Sequence, residues 1–106
     1  RLVQLFSNLF LNAYQAMESG GKLLITARRE GERLLLTVED SGPGIPKEKR
    51  EELFTPFVTT RAQKGGSGLG LYISRTIVQD HGGKIVIGKS EELGGAKFVM
   101  EFPAGE

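Results

Sequence analysis

The chain has 106 residues, one domain or part of one, and its 39% hydrophobic and 25% charged content is ordinary for a soluble protein with its own core. A formal net charge of +1 gives no argument for nucleic acid or a membrane surface as partner, and the absence of cysteine excludes disulfides, a thiolate metal site and a thiol nucleophile. No apolar run approaches the roughly 18 residues that would span a bilayer, and no signal peptide is present. The expectation is a cytoplasmic segment that itself makes no membrane contact, whether or not a longer parent is anchored. Glycine is the outlier: 15 residues, about twice the usual share of roughly 7%. They cluster at 42–44, 65–70, 82–83 and 94–95, which marks particular turns and not a low-complexity tract.

Arg1 to Met17 reads as an amphipathic helix, with Leu2, Leu5, Phe6, Leu9, Phe10, Ala13 and Met17 at helical spacing and Gly20-Gly21 as its stop. Asn8, Asn12 and Gln15 form a second stripe at i, i+4 and i+7, so three amides project in one direction. A solvated face would give the same pattern, but amides are weak choices for a helix interior. Lys22 to Arg29 and Leu34 to Glu39 read as strands of an antiparallel hairpin turning at Gly31. The second runs into Asp40-Ser41-Gly42-Pro43-Gly44-Ile45, a rigid turn that would hold the Asp40 carboxylate in a fixed place. A plain Asx turn is the simpler alternative.

Pro46 to Leu53 reads as a short charged helix with proline in its first turn. Phe54-Thr55-Pro56-Phe57 breaks it, and core packing accounts for both rings. Val58 to Gly66 has little apolar periodicity and carries Thr59, Thr60, Arg61 and Lys64, a loop whose cations suit an anion. Leu69 to about Asp80 is a second long helix, burying Leu69, Ile73, Ile77 and Val78, with His81-Gly82-Gly83 as its stop. Lys84 to Lys89 and Ala96 to Phe102 are two further strands around the turn Glu91 to Gly95. Two long helices and four strands predict an α+β two-layer sandwich, helices on one face of a mixed, mostly antiparallel sheet.

The run Gly65-Gly66-Ser67-Gly68-Leu69-Gly70-Leu71 opens directly into the second helix. Glycines let backbone approach a ligand closely, and a helix N-terminus offers unpaired N–H groups and the positive end of a dipole. A phosphate cradle is the functional reading, and a flexible loop before an ordinary helix is the bland one. A Rossmann site would need this run after the first strand of a βαβ unit, and no G-x-x-x-x-G-K-[ST] phosphate loop occurs.

In sequence order, the chain presents an amide-bearing helix, then Asp-x-Gly-x-Gly, then Phe-x-Pro-Phe, then Gly-x-Gly-Leu-Gly-Leu. Together these resemble the asparagine, first glycine, phenylalanine and second glycine boxes of the ATP-binding catalytic domain of sensor histidine kinases. That domain belongs to a wider group with DNA gyrase, mismatch-repair ATPases and the ninety-kilodalton heat-shock chaperones. The resemblance covers nearly the whole of residues 1–106 and implies a Bergerat-type ATP-binding fold, a single catalytic domain without its first strand and helix. It also implies ATP, its product ADP and Mg²⁺ as ligands.

Residue by residue, Asn12 resembles the position whose amide oxygen ligates Mg²⁺, and Asn8 would support the metal or the phosphates. Asp40 resembles the acceptor of the adenine amino group. Gly42 and Gly44 would let backbone approach the base, with Ile45 packing against its ring. Gly66, Ser67, Gly68, Leu69, Gly70 and Leu71 would line the phosphates with backbone N–H groups. Thr60, Arg61 and Lys64, in a lid before that loop, are looser phosphate contacts, and Phe57 and Gln15 complete the candidate nucleotide set. Lys64 and Asn8 are the phosphate-handling candidates for transfer itself.

The chain departs from the family pattern in three places. Gln15 stands where many such kinases have lysine, Ala96 stands where a hydroxyl residue often supports the adenine site, and no dimerising helix pair with a phosphoacceptor histidine is present. His81, the only histidine, falls at a helix end where the family has a structural one, so the phosphoacceptor is expected on a separate dimerisation domain of the same, homodimeric parent. A response-regulator receiver domain would act downstream. The alternatives are ATP hydrolysis, for which gyrase and chaperone relatives use a glutamate where this chain has Asn8, and a purely nucleotide-binding regulatory module.

Overall fold

The periodicities become two helices and four strands in a computed structural model that describes residues 2–17, 20–55 and 70–103, apart from the side chains of Leu2, Gln15, Ala16 and Gly70. In chain order these are α1 (Leu2–Ala16), β1 (Leu23–Glu30), β2 (Arg33–Asp40), two 3-10 turns (Lys47–Lys49 and Glu52–Phe54), α2 (Gly70–Asp80), β3 (Lys84–Lys89) and β4 (Ala96–Pro103). The strands form one sheet in the order β1-β2-β4-β3, and every pairing among the described strands is antiparallel.

Alternation along the strands decides which face is buried. Leu34, Leu36 and Val38 of β2, Ala96, Phe98, Met100 and Phe102 of β4, and Ile85 and Ile87 of β3 share one core with Leu5 and Leu9 of α1 and Leu71, Ile77 and Val78 of α2. Both helices therefore cover the same face of the sheet, as the sequence predicts. Burying one such side chain stabilises the fold by about 1.5–3 kcal/mol. β1 contributes nothing to this cluster, and all eight of its residues are exposed. It pairs on one side with β2 and lies beyond the helical layer, so its alternating pattern finds no second surface.

Helical spacing overestimates the buried stripe of α1. Leu5, Leu9 and Ala13 are buried, but Phe10 is 37% exposed and lies against Phe6 with ring centroids 5.9 Å apart. One residue per turn faces the sheet and Phe10 is rotated off that line. The short helix expected over Pro46 to Leu53 is instead two separate 3-10 turns. Pro46 sits at φ −55°, ψ 140°, outside the helical region, and the segment closes through i→i+3 bonds, Lys49 N–H to the Pro46 carbonyl and Thr55 N–H to the Glu52 carbonyl, both at 2.9 Å. A segment this short cannot sustain α-helix nucleation on its own. Its geometry follows from burying Leu53 and Phe54 at its end.

α2 ends as its glycines predict. Gly83 N–H donates to the Val78 carbonyl at 3.0 Å and Gly82 N–H to the Gln79 carbonyl at 2.9 Å, a Schellman closure. His81 Nδ1–H donates to the Ile77 carbonyl at 2.8 Å, and its ring meets Phe102 edge-on. The histidine is a helix-end fitting, consistent with a structural role. Among the described residues, no helix is long and apolar enough to cross a membrane.

Candidate functional site

Asp40 is the last residue of β2 and only 2% exposed. Its side chain lies on the core face, in line with Val38, so the strand itself delivers a carboxylate to the end of the hydrophobic layer. Gly42 N–H donates to Oδ1 at 2.9 Å, which is the Asx turn, and Ala96 N–H donates to the same oxygen at 3.1 Å from the start of β4. Gly95 N–H donates to the Asp40 carbonyl at 3.1 Å. The simple Asx turn and the fixed functional carboxylate are therefore compatible. Neither side-chain bond uses Oδ2.

The departure at Ala96 has a structural answer in this arrangement. What residue 96 supplies to Asp40 is its backbone N–H, a donor that any residue except proline provides. Gly95 beside it is tightly constrained: a Cβ there would collide with Asp40 Oδ1 and the Asp40 carbonyl and lie 2.7 Å from the Gly42 nitrogen. Sequence reasoning registered Gly94-Gly95 only as a turn, and the signal that could have marked it was the pairing of two glycine clusters, 42–44 and 94–95. Gly44 adopts φ +80°, the left-handed region natural to glycine, so its conformation, not crowding, is what favours glycine there.

The end of α1 is docked on this same turn. Lys22 N–H donates to Ser41 Oγ at 2.8 Å, Ser41 N–H donates back to the Lys22 carbonyl at 3.1 Å, and the Ser41 hydroxyl points at Met17 Sδ. The helix that carries Asn8 and Asn12 thus runs away from the residue next to Asp40. Both asparagines are half-buried, flanking the Leu5, Leu9, Ala13 line. Gln15 has a described backbone only.

Gly70 opens α2, and Leu71, just behind it, is 8% exposed and packed into the core. Their N–H groups belong to the first turn, where helical backbone donors have no intrahelical acceptor. Ile45 is half-buried against the core cluster. Phe57, Thr60, Arg61, Lys64, Gly66, Ser67, Gly68 and Leu69 lie outside the described residues. Phe54 is core, as expected: it is 3% exposed, with the Arg75 guanidinium 4.9 Å over its ring and Arg75 also 3.2 Å from Glu51.

A crevice of about 240 Å³ lies between the 43–46 turn and the β3–β4 turn, lined by Gly44, Ile45, Arg50, Lys89 and Gly95 among others. Asp40, Asn8 and Asn12 are not in its wall, so it is not the space that the carboxylate and the amides share.

The arrangement is a buried carboxylate at a strand end, two amides on a neighbouring helix and a helix N-terminus, and the chain that carries it is similar to known proteins. The chain is 41% identical over 103 residues to the alginate biosynthesis sensor protein KinB of Pseudomonas aeruginosa, covering 97% of this chain and 17% of KinB. It is 43% identical over 103 residues to the sensor histidine kinase ZraS of Escherichia coli O157:H7, covering 97% of this chain and 22% of ZraS. It therefore spans about a fifth of the length of these curated relatives. Among solved structures it superposes on full-length ShkA in complex with AMPPNP with a TM-score of 0.82 at 35% identity, over 96% of this chain and 21% of that one. On the histidine kinase ThkA in complex with the response regulator protein TrrA, the TM-score is 0.80 at 39% identity, over 99% of this chain and 29% of that one. The family model of the histidine kinase-, DNA gyrase B- and HSP90-like ATPases matches residues 1–106, so sequence, fold and relatives agree that this chain belongs to that family.

Proposed function

We propose that residues 1–106 form one ATP-binding catalytic domain. In this reading it binds Mg-ATP and presents the γ-phosphate to a histidine on a separate dimerisation domain of the same protein, the kinase step of a two-component sensor. The single observation that carries this reading is Asp40: a carboxylate 2% exposed, held through one oxygen by two backbone N–H groups and carried on the face that meets α1. Such a group accepts from the exocyclic amino group of adenine and is repelled by the 6-oxo group of guanine. The similarity to ShkA, solved with AMPPNP, supports a nucleotide as ligand.

The phosphates would extend from the base toward Asn12, Asn8 and the first turn of α2. Among the described residues no three His, Cys, Asp or Glu side chains gather to hold a metal by themselves. Asn12 would instead add one neutral amide oxygen to a Mg²⁺ that also takes phosphate oxygens. The ion, when bound, neutralises charge on the transferring group. Asn8 carries an amide with no strength as a base at neutral pH, which favours transfer to an outside acceptor over hydrolysis. The response regulator would be the downstream partner, by analogy with the complex that ThkA forms with TrrA, and the parent would act as a homodimer.

Titration calorimetry with ATP and GTP, with and without Mg²⁺, tests the nucleotide half of this proposal. ATP should bind in a Mg²⁺-dependent way and be preferred over GTP, and Asp40→Asn should reduce that preference by about ten-fold or more. Equal binding of the two purines by the unmodified protein would remove the role given to Asp40. Acid-labile phosphate on an added histidine-bearing helix pair is the expected outcome for transfer; free phosphate alone would point to hydrolysis.

A further inference from the structure

Behind Asp40 lies a second buried polar pair that the proposed chemistry does not use. Glu39, 6% exposed, points to the opposite face of the sheet from Asp40, and Ser90, 0% exposed, follows β3 at the start of the β3–β4 turn. The Ser90 hydroxyl donates to Glu39 Oε1 at 2.8 Å and accepts from Leu93 N–H at 2.9 Å. Ser90 N–H donates to the Gly95 carbonyl, and Gly94 N–H donates to the Ser90 carbonyl, both at 2.8 Å. The hydroxyl donates one bond and accepts another, and at 0% exposure it is enclosed by the protein.

Ser90 thus ties the β3–β4 turn at three places: its backbone bonds Gly94 and Gly95, and its hydroxyl, anchored on Glu39, holds Leu93 N–H just before them. The Gly95-Ala96 backbone gives Asp40 two of its three fixing bonds, Gly95 N–H to its carbonyl and Ala96 N–H to Oδ1. The turn is thus clasped from both faces of the sheet at adjacent residues, by Asp40 on the core side and by Glu39, through Ser90, on the other. A carboxylate discriminates purines only if its free oxygen is aimed, and the aim of Oδ2 depends on where Oδ1 is held.

We infer that Ser90 and Glu39 are positioning residues for base selection: they hold the β3–β4 turn in the register that orients the Asp40 carboxylate. This rests on the reading of Asp40 as the adenine acceptor. A purely structural pair would change thermal stability and leave the ratio of ATP to GTP affinity alone, whereas a positioning pair changes the ratio itself.

The test measures ATP and GTP affinities and melting temperature in the full-length protein for Ser90→Ala, Glu39→Ala, Glu39→Gln and Asp40→Asn. Ser90→Ala and Glu39→Ala should each lower the preference for ATP by about ten-fold, the scale of one hydrogen bond to a charged group. Glu39→Gln, whose amide oxygen can accept the same bond, should keep the preference within about two-fold. If Ser90→Ala does not fold, the contrast between Glu39→Ala and Glu39→Gln decides. An unchanged preference in folded Ser90→Ala and Glu39→Ala, beside a collapsed one in Asp40→Asn, overturns the positioning role and leaves the Asp40 reading standing. An unchanged preference in Asp40→Asn removes both.

Discussion

The two ends of the candidate site are built in different ways. At the proposed base end the sheet and its adjoining turns do the work: Asp40 terminates β2, β4 starts against it, and three backbone N–H groups, of Gly42, Gly95 and Ala96, hold its carboxylate and carbonyl. At the proposed phosphate end the helices do it, through two half-buried amides on α1 and the first turn of α2. Ala96 N–H opens β4, and Gly42 and Gly95 lie in the two turns that these bonds tie to Asp40, so the proposed base end is preorganised by the fold itself. Amide side chains can turn to suit a ligand, and a helix N-terminus offers fixed backbone N–H groups; both suit a charged group with its own ion. The contrast suits a nucleotide, in which the base carries identity and the phosphates carry reaction.

The most severe way to break that contrast is Gly95→Ala. Its Cβ has nowhere to go between the Asp40 carboxylate and Gly42, so the turn must shift, at a cost of about 1–3 kcal/mol in stability. Purine binding should fall by two orders of magnitude or more, on the scale of losing more than one such bond. Thermal melting and calorimetry on the same sample check both, and unaltered ATP binding would show that the base end is less rigid than its bonds imply. Asn12→Ala should be milder and selective for the other end: Mg²⁺-dependent affinity should drop by about 1–2 kcal/mol with the ATP-over-GTP ratio preserved. A collapse of the purine ratio in that variant would show that the two ends are not separable. The smallest effect belongs to Arg75→Met, which removes the cation over Phe54 and the contact to Glu51. Because Glu51 is 74% exposed and Arg75 36%, the stability loss should be under about 1 kcal/mol with nucleotide affinity unchanged.

Local signals carried much of this architecture. The order of elements, the helix stop at Gly82-Gly83, the strand at Lys84 to Lys89 and the turn after Asp40 all follow from periodicity and glycine placement, because each is decided within a few residues of chain. Where the reading failed, the deciding neighbour was distant. Phe10 has the spacing of a core residue, but only the sheet surface fixes which line of α1 is buried. The hairpin of β1 and β2 is as expected, but the exposure of Leu23, Leu24 and Ile25 is set by the sheet order, which places β1 at an edge. Pro46 to Leu53 has helix formers and an N-terminal proline, yet it is two tight turns because Leu53 and Phe54 are drawn into the core.

The site divides along the same line. Residue types and spacing by themselves determined that Asp40 would sit in a rigid glycine turn and that Asn8 and Asn12 would share a helix face, since both follow from local backbone geometry. Only the tertiary structure decided what holds the carboxylate. Ala96 and Gly95 are more than fifty residues from Asp40 along the chain, and the bonds they donate come from backbone, which leaves no mark on side-chain identity except the absence of one at Gly95. The link from Glu39 to Ser90 is equally distant in sequence and exists because two antiparallel pairings bring the end of β2 beside the β3–β4 turn.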